Sequence, residues 1–323
     1  MFYNINMSKE KVLEILEKNR GKVVSGEEIA RALGVTRASV CKDIAKLRRE
    51  GNEIFSKSNS GYILSRSSPA LSAVGITCRM KTVRPVVYFS SVDSTNKRAK
   101  IMAAEGASDG TVIVADSQTE GHGRRGRSFY SPAGSGLYFS IILRPEFSYV
   151  LCQRIVPLAA VAVRRAIKSV CGINTRIKWV NDIYFSDKKI AGICTESIGQ
   201  FGADRPDAVV LGIGINVSTQ NFPAEIAETA GSLGVFVDRN ALAAACVDNV
   251  FDMLPGIADA TFMDEYRAEC MTIGKQVDVF SGDKYLYSAK ALEIDDDGLL
   301  IVQKESGETV SLITQEVSIK NRK

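Results

Sequence analysis

The chain has 323 residues, of which 45% are hydrophobic and 24% charged, and its net charge is +4. This length favours two or three domains, because a single hydrophobic core seldom grows beyond about 250–300 residues. No apolar run is long enough to cross a bilayer and the first residues lack a signal-peptide pattern, so we expect a cytoplasmic protein without a membrane segment.

Residues 1–66 have the pattern of a winged helix-turn-helix domain. The segment 25–28, Ser-Gly-Glu-Glu, matches a capping box at the start of one helix, which Gly34 ends. Thr36 can cap the next helix, whose apolar positions repeat at helical spacing. Two short apolar runs flank residues 58–61 and predict a β-hairpin wing.

The charge of this N-terminal segment favours DNA binding. It contains thirteen Lys and Arg against eight Asp and Glu, so its net charge is +5 and the rest of the chain is slightly negative. The basic helix that follows Gly34 can lie in a major groove. The residues predicted to meet bases or phosphates are Thr36, Arg37, Ser39, Lys42 and Lys46. The alternative is a small module with a solvated basic face, or one that binds protein.

Residues 67–82 are rich in Ser and Arg without clear periodicity and predict a linker. Residues 83–273 then alternate between strands and helices. The β-rich runs are 86–89, 111–115, 137–143, 176–179, 182–185, 190–196 and 208–215, and the helical runs are 94–104 and 156–170. Because only two long helices accompany so many strands, we expect an α+β fold. Its mixed sheet would carry helices on one side rather than being doubly wound.

A Gly- and Arg-rich segment follows the second of these strands. Residues 117–127 read Ser-Gln-Thr-Glu-Gly-His-Gly-Arg-Arg-Gly-Arg. The glycines let the backbone approach a ligand, and the arginines supply fixed charge and forked donors. The G-K-[ST] ending of a P-loop is absent, and although a G-x-G-x-x-G spacing exists, no helix follows it. These residues alone indicate an anionic ligand, with nonspecific nucleic-acid binding as the alternative.

The C-terminal residues 274–323 contain short β-rich runs separated by Gly- and Asp-rich turns. Runs at 276–280, 285–294, 299–303 and 309–313 predict a small antiparallel barrel. The acidic turn 295–297 lacks the pattern of a calcium-binding EF-hand, so we expect a solvated turn there.

Five blocks in sequence order resemble those of biotin–protein ligases. They are residues 94–96 (family S-T-N), 121–127 (G-R-G-R-x-G-R), 178–182 (K-W-P-N-D), 189–193 with Glu196 (K-L-A-G-I-L-x-E) and 212–216 (G-x-G-x-N). With the winged helix, the chain resembles the family of bifunctional biotin–protein ligases and biotin operon repressors over nearly its whole length. The resemblance implies a catalytic domain like that of class II aminoacyl-tRNA synthetases and an SH3-like C-terminal barrel. His122 stands where the family usually has arginine, Val180 where it has proline, and Phe129 where tryptophan is common.

The resemblance also implies an activity. The carboxylate of biotin attacks the α-phosphate of ATP to give biotinyl-5′-adenylate, and biotin then passes to a lysine of a biotin carboxyl carrier protein. ATP and Mg²⁺ are co-substrates, biotin is a substrate, and no tightly bound prosthetic group is expected. Accumulated adenylate would favour a homodimer that binds operator DNA, so the carrier protein and operator DNA are the expected partners.

Such phosphoryl chemistry depends on positioning and on converging cations. The resemblance assigns catalysis to Lys189 and Arg124. It assigns biotin binding to Ser94, Thr95, Asn96, Gln118, Gly121, His122, Arg124, Lys189, Gly192 and Gly214. It assigns ATP or adenylate binding to Arg124, Arg125, Arg127, Phe129, Asn181, Asp182, Lys189, Ile215 and Asn216. No protein ligand for a metal is assigned, and Mg²⁺ is expected on the phosphates.

Two other functions stay open at this point. A lipoate–protein ligase on a related scaffold is disfavoured by the arginine loop and the winged helix. A ligand-sensing transcription factor with impaired ligase activity is kept open by His122 and Val180. Ser94 is ambiguous by itself, since a serine is also expected as a helix cap there. The seven cysteines and the single histidine are not spaced for zinc, and no hydrolase triad can be assembled without His122, so we expect buried and inert thiols.

Overall fold

The computed structural model describes residues 7–200, 202–313 and 317–321. Its N-terminal unit consists of helices α1 (Met7–Lys18), α2 (Gly26–Leu33) and α3 (Arg37–Arg49), followed by the wing strands β1 (Ile54–Lys57) and β2 (Gly61–Leu64). Ser25 and Glu28 form the predicted capping box, and Gly34 ends α2 with a positive φ of 64°. The wing strands pair antiparallel. This unit has its own hydrophobic core, and the winged helix-turn-helix prediction is confirmed.

The segment predicted as a linker contains helix α4 (Ala73–Thr77), which the sequence analysis did not anticipate. Ser72 caps it, and Ile76 is buried against the central domain. A Cβ atom at Gly75 would lie 2.7 Å from the side chain of Asn240, so this segment is closely packed rather than loosely connecting. The domain boundaries themselves stay a prediction.

The central domain is built on a seven-stranded sheet. Its strands are β3 (Val86–Phe89), β4 (Val112–Ala115), β5 (Gly136–Leu143), β6 (Arg176–Lys178), β7 (Asp182–Phe185), β8 (Lys188–Ile198) and β9 (Ala208–Asn216). The strand order is β3-β4-β5-β9-β8-β7-β6, and β3 and β4 are parallel while the other pairs are antiparallel. The prediction of a mixed α+β sheet is therefore confirmed.

Helices cover both faces of this sheet. The helices of the domain are α5 (Thr95–Ala104), α6 (Tyr149–Cys152), α7 (Ile155–Cys171), α8 (Arg239–Met253) and α9 (Phe262–Glu269). Helix α5 packs on one face, where Ile113 and Val210 lie, whereas α7 and α8 pack on the other, with Val112 and Leu211. The expectation of helices on one side was wrong, because successive strand residues point to opposite faces and both sets are apolar. Helices α8 and α9 were not predicted.

The C-terminal strands are β10 (Gln276–Ser281), β11 (Lys284–Ile294), β12 (Leu300–Lys304), β13 (Thr309–Leu312) and β14 (Ser318–Asn321). They form an antiparallel sheet in the order β13-β12-β11-β10-β14, as predicted for a small SH3-like barrel. The indole nitrogen of Trp179 donates to the carbonyl of Gly298 (2.9 Å) and ties this unit to the central sheet. The acidic turn is bound by arginines, since Asp296 pairs with Arg267 and Asp297 with Arg154.

Four charged side chains join the winged helix to the central domain. Arg20, from the turn after α1, lies 3.2 Å from Asp238, and Arg79, just after α4, lies 2.8 Å from the same carboxylate. Both arginines also contact Glu17 of α1. Asp238 in addition caps α8 through the amide of Asn240. The N-terminal unit is thus anchored at the start of a helix of the central domain.

Two further findings concern expectations from composition. No helix in the described part of the chain is long and apolar enough to span a membrane. Cys41 and Cys78 are exposed, so the expectation of buried thiols was wrong for these two.

Candidate active site

A set of neutral hydrogen-bonding groups lies where α5 begins. The backbone amide and the hydroxyl of Thr95 both donate to the amide oxygen of Gln118, at 2.8 and 3.1 Å. The amide nitrogen of Gln118 donates in turn to Ser131 (3.0 Å). The buried hydroxyl of Ser140 lies 2.8 Å from that of Thr95. Ser94 is the N-cap of α5, which confirms that a cap was to be expected at this position.

The carboxylate of Glu196, on β8, is bound by groups from two other elements. It accepts from the amide of Asn96 (2.8 Å) and from the ammonium of Lys100 (2.5 Å), both on α5. The imidazole Nε2 of His122 lies 3.4 Å away. Burial raises the pKa of Glu196, but the hydrogen bonds and the charge of Lys100 outweigh burial and bring it below its usual value of 4.5. Glu196 is therefore an ionised hub that joins α5, β8 and the Gly/Arg loop.

Cations converge around the carboxylate of Asp182, at the start of β7. The ammonium of Lys189 lies 2.6 Å from the carboxylate of Asp182. Arg124 donates to the side-chain oxygen of Asn181 (3.3 Å), and its burial lowers the pKa of its guanidinium. Burial also lowers the pKa of Lys178, and the nearby charge of Lys189 acts in the same direction. Cations held this close, with their charge partly desolvated, suit a phosphate or carboxylate ligand.

The Gly/Arg loop, residues 121–127, is fixed to the chain segment that follows it. Gly121 accepts from the amide of Phe129 (2.8 Å), and a Cβ atom at Gly121 would lie 2.6 Å from the hydroxyl of Ser131. Only glycine therefore fits at the start of the loop. Of the loop arginines, Arg125 and Arg127 are exposed and Arg124 is half-buried.

The two strand glycines face the ring of Phe129. A Cβ atom at Gly214 would lie 2.7 Å from this ring, and one at Gly192 would lie 3.5 Å from it and 3.3 Å from the ammonium of Lys189. The space beside these two glycines, which the resemblance assigns to biotin binding, is therefore occupied by the ring of Phe129. A ligand that lies against Gly214 has to displace this ring.

The two residues at the end of β9 that were predicted to bind adenylate differ in whether their side chains can reach a ligand. The side chain of Ile215 is fully buried in the core under α7 and α8, on the face opposite Gly214, so the prediction that it contacts adenylate was wrong for its side chain. Asn216 donates to the carbonyl of Gly231 (2.9 Å), and its buried side-chain oxygen has no hydrogen-bond partner among the residues that the structure describes. A buried oxygen in this state is open to a donor from a ligand.

The predicted DNA-contacting residues all lie on α3 or at its start. Arg37 and Lys42 are exposed and Ser39 is half-buried. The hydroxyl of Thr36 already accepts from the amide of Ser39 (3.2 Å), and Lys46 lies 3.4 Å from Asp43. Arg37 and Lys42 are thus the more exposed of the three basic residues in the set.

Several residues of the site were absent from the predicted set. They are Lys100, Ser131, Ser140, Lys178 and Glu196. Ser140 could have been noticed as a polar residue within an apolar strand, and Lys178 as the first residue of the block 178–182 that resembles the family motif. Lys100 and Ser131 carry no local signal, because their partners are distant in sequence.

The fold and the site define a protein with two functional parts. One is an α+β domain that can hold an anionic ligand beside a Gly/Arg loop, and the other is a winged helix-turn-helix domain. The Biotin/lipoate A/B protein ligase family matches residues 88–216, and an HTH domain family matches residues 8–63.

Comparison with whole proteins extends this match. The chain is 35% identical to the "Bifunctional ligase/repressor BirA" of Bacillus subtilis (strain 168), over 92% of this chain and 94% of that protein. It is 28% identical to the protein of that name from Escherichia coli (strain K12), over 88% and 89%. The fold resembles the biotin protein ligase from Aquifex aeolicus in complex with biotin and ATP, with a TM-score of 0.63 and 28% identity over 74% of this chain and 100% of that one. The chain belongs to the family of bifunctional biotin ligase/repressors.

Proposed function

We propose that this chain activates biotin with ATP, forms biotinyl-5′-adenylate, and transfers biotin to a lysine of a biotin carboxyl carrier protein. The observation that carries the proposal is the convergence of Arg124, Lys178 and Lys189 beside the Gly/Arg loop. Next to them, Thr95 and Gln118 offer the neutral donors and acceptors that a ureido ring requires. One site thus provides for both the charged and the uncharged end of such an intermediate.

In the first step, a carboxylate oxygen of biotin bonds to the α-phosphorus of ATP and the bond to pyrophosphate breaks. Lys189 and Arg124 neutralise the charge that builds up on the phosphoryl oxygens, which lowers the barrier. In the second step, the amine of the acceptor lysine attacks the carbonyl carbon of the mixed anhydride and AMP leaves. The side-chain oxygen of Asn216, unpartnered among the described residues, and the carboxylate of Asp182 would help to orient the adenylate.

Magnesium supplies charge neutralisation and orientation of the phosphates when it is bound. Among the described residues, no group of three or more His, Cys, Asp or Glu is placed to hold a metal ion. Asp182, the carboxylate among the cations, is paired with Lys189 at 2.6 Å. We therefore expect Mg²⁺ to enter with the phosphates of ATP.

Our proposal for the N-terminal domain is repression of biotin genes. Helix α3 would lie in the major groove of operator DNA, with Arg37 and Lys42 exposed toward it. The wing is held beside α3 by Arg48, which donates to the backbone of Ile54 (2.7 Å) and to Ser56 (2.8 Å). By analogy with the family, the adenylate-bound chain would act as a homodimer. Gel-shift and sedimentation measurements with and without biotin and MgATP test both statements.

The ligase proposal is tested by incubating the protein with biotin, MgATP and a carrier domain, and by detecting biotinylated carrier by mass spectrometry. Matched reactions omit ATP or replace the acceptor lysine by arginine. Biotin binding without transfer to the carrier would leave a ligand-sensing repressor. Transfer of lipoate in preference to biotin would instead identify a lipoate–protein ligase.

A further inference from the structure

Ser140 is a fully buried hydroxyl within an apolar strand. All eight residues of β5 are buried, and Ser140 lies opposite Gly212 of β9. A buried hydroxyl destabilises the fold unless it forms hydrogen bonds. The hydroxyl oxygen of Ser140 lies 2.7 Å from the side-chain oxygen of Asn96 and 2.8 Å from the hydroxyl of Thr95. Ser140 therefore connects two residues at the start of α5.

Four side-chain oxygens follow one another at hydrogen-bond distance, and we call them the oxygen chain. In order they belong to Asn96, Ser140, Thr95 and Gln118, and successive oxygens lie 2.7, 2.8 and 3.1 Å apart. The two inner oxygens are hydroxyls, whereas the two outer ones are amide oxygens, which can only accept. Every hydrogen within the oxygen chain therefore comes from Ser140 or Thr95.

The amide of Asn96, at one end of the oxygen chain, is held in one orientation. Its nitrogen donates to the carboxylate of Glu196 (2.8 Å), which the ammonium of Lys100 contacts from the same helix at 2.5 Å. Burial raises the pKa of Glu196, but these hydrogen bonds and the charge of Lys100 outweigh it, so the carboxylate is ionised at neutral pH. Since an ionised carboxylate only accepts, Asn96 has to turn its nitrogen toward Glu196 and its oxygen toward Ser140.

The amide of Gln118, at the other end, is also held in one orientation. Its oxygen accepts from the backbone amide of Thr95 (2.8 Å), which can only donate. The nitrogen of Gln118 donates to the hydroxyl oxygen of Ser131 (3.0 Å), and this hydroxyl donates to the backbone carbonyl of Phe129 (2.9 Å). Ser131 thus uses its hydrogen elsewhere and adds none to the oxygen chain.

The oxygen chain is consequently one hydrogen short. It has three oxygen–oxygen contacts, and two hydroxyl hydrogens are present to fill them. Because Ser140 donates to Asn96, the hydrogen of Thr95 can fill either the contact with Ser140 or the longer contact with Gln118. An N–H group from a ligand, placed between Thr95 and Gln118, would supply the third hydrogen. Thr95 then donates to Ser140, and every contact of the oxygen chain is a hydrogen bond.

We propose that Ser140 is a positioning residue that makes the site selective for a ring with N–H groups. By accepting the hydrogen of Thr95, it turns the oxygens of Thr95 and Gln118 into an acceptor pair for a ureido N–H. This role rests on the proposed function, because it requires the ureido ring of biotin to lie beside these two residues. The dithiolane ring of lipoate has no N–H and leaves the oxygen chain one hydrogen short. A site built to hydrogen-bond a substrate group discriminates strongly against an analogue that lacks the group.

Two variants fill the acceptor pair from within the protein, by different routes. Ser140→Ala removes the acceptor for the Thr95 hydrogen, which then occupies the place of the ligand N–H. Glu196→Gln changes no volume and supplies the missing hydrogen. Its amide oxygen faces the ammonium of Lys100 and its amide nitrogen donates to Asn96, which then turns its own nitrogen toward Ser140. The oxygen chain is then complete without a ligand in both its length and its hydrogens.

The experiment measures pyrophosphate release by the full-length protein with biotin or lipoate as substrate, and biotin binding by calorimetry. In both variants the KM and Kd for biotin should rise about 10- to 100-fold, the effect of leaving a buried polar group unpaired. The kcat with biotin, the KM for ATP and the kcat/KM for lipoate should stay close to wild type. Ser140→Thr keeps the hydroxyl and should restore most of the affinity. The control is Ser288→Ala, which removes another buried hydroxyl, one that donates to Asp278 in the C-terminal sheet (2.6 Å), and it should change none of these constants.

A purely structural role of Ser140 would weaken biotin and lipoate alike and would not be reproduced by Glu196→Gln. An unchanged biotin affinity in Glu196→Gln would therefore overturn the role of Ser140, even if Ser140→Ala fails to fold. Biotin binding without pyrophosphate release would contradict the proposed function instead, and the calorimetric comparison of the variants would still decide on Ser140. A wild-type protein that binds no biotin would refute both.

Discussion

Replacing Lys189 by alanine should separate catalysis from stability. The ammonium lies 2.6 Å from Asp182, but both side chains are partly exposed, at 34% and 24%. An ion pair with this exposure contributes up to about 1 kcal/mol to the free energy of unfolding. A cation that meets charge developing in a closed site contributes about 3–4 kcal/mol to the transition state. We therefore expect adenylate formation to slow about 10²- to 10³-fold, with little loss of stability.

The assay is single-turnover release of pyrophosphate from MgATP with saturating biotin, together with unfolding in denaturant. The control is Lys304→Ala in the C-terminal sheet, where the lysine also pairs with a carboxylate, Glu308, at 2.9 Å and is similarly exposed. This control should lose a comparable, small amount of stability and keep its full rate. A rate within threefold of wild type for Lys189→Ala would show that the catalytic cation is another residue.

Three further predictions follow from single side chains. Replacing the exposed Arg37 by alanine should lower the slope of log affinity for duplex DNA against log salt concentration by about one. The control variant, Lys18→Ala on α1, should keep the wild-type slope. Equal slopes in the two variants would contradict a role of α3 in DNA binding. Replacing Asp238 by alanine removes the cap of α8 and the partner of two arginines, so denaturant unfolding should show a loss of about 1–3 kcal/mol. Asparagine there should recover the capping part, and no recovery would argue against the cap. In the folded protein the pKa of Glu196 lies below 4.5. The ionised carboxylate therefore stabilises the fold fully above pH 4.5, and this stabilisation is lost as the pH falls through the folded pKa. In acid unfolding, the free energy of unfolding of Glu196→Gln should accordingly depend less on pH below 4.5 than that of the wild type.

Much of the site could be read from the sequence because its blocks are local. The Gly/Arg loop, the cap at Ser94 and the residues 178–182 are contiguous segments, and their order along the chain was sufficient to indicate the family. The partners of these blocks were harder to predict. Glu196 lies 100 residues from Asn96 and 74 residues from His122, and nothing in the local pattern couples them.

The sequence by itself determined the elements whose formation depends on neighbouring residues. Capping at Ser25 and the left-handed Gly34 specified α2, and short apolar runs bounded by turn residues specified the strands of the central and C-terminal sheets. These features depend on interactions within a few residues, so a local pattern is enough to predict them.

Only the tertiary structure decided which faces and partners these elements have. Strand register places Ile215 in the core and its neighbour Gly214 against Phe129, although both belong to one short block. The order of the sheet strands brings α5 and β8 together around Glu196, and thereby places this carboxylate 3.4 Å from the loop histidine. The physical reason is that register and strand order result from burying apolar area across the whole sheet, which no segment of the chain specifies alone. The chemistry of the loop is therefore encoded in its residues, whereas its attachment to β8 is a property of the fold.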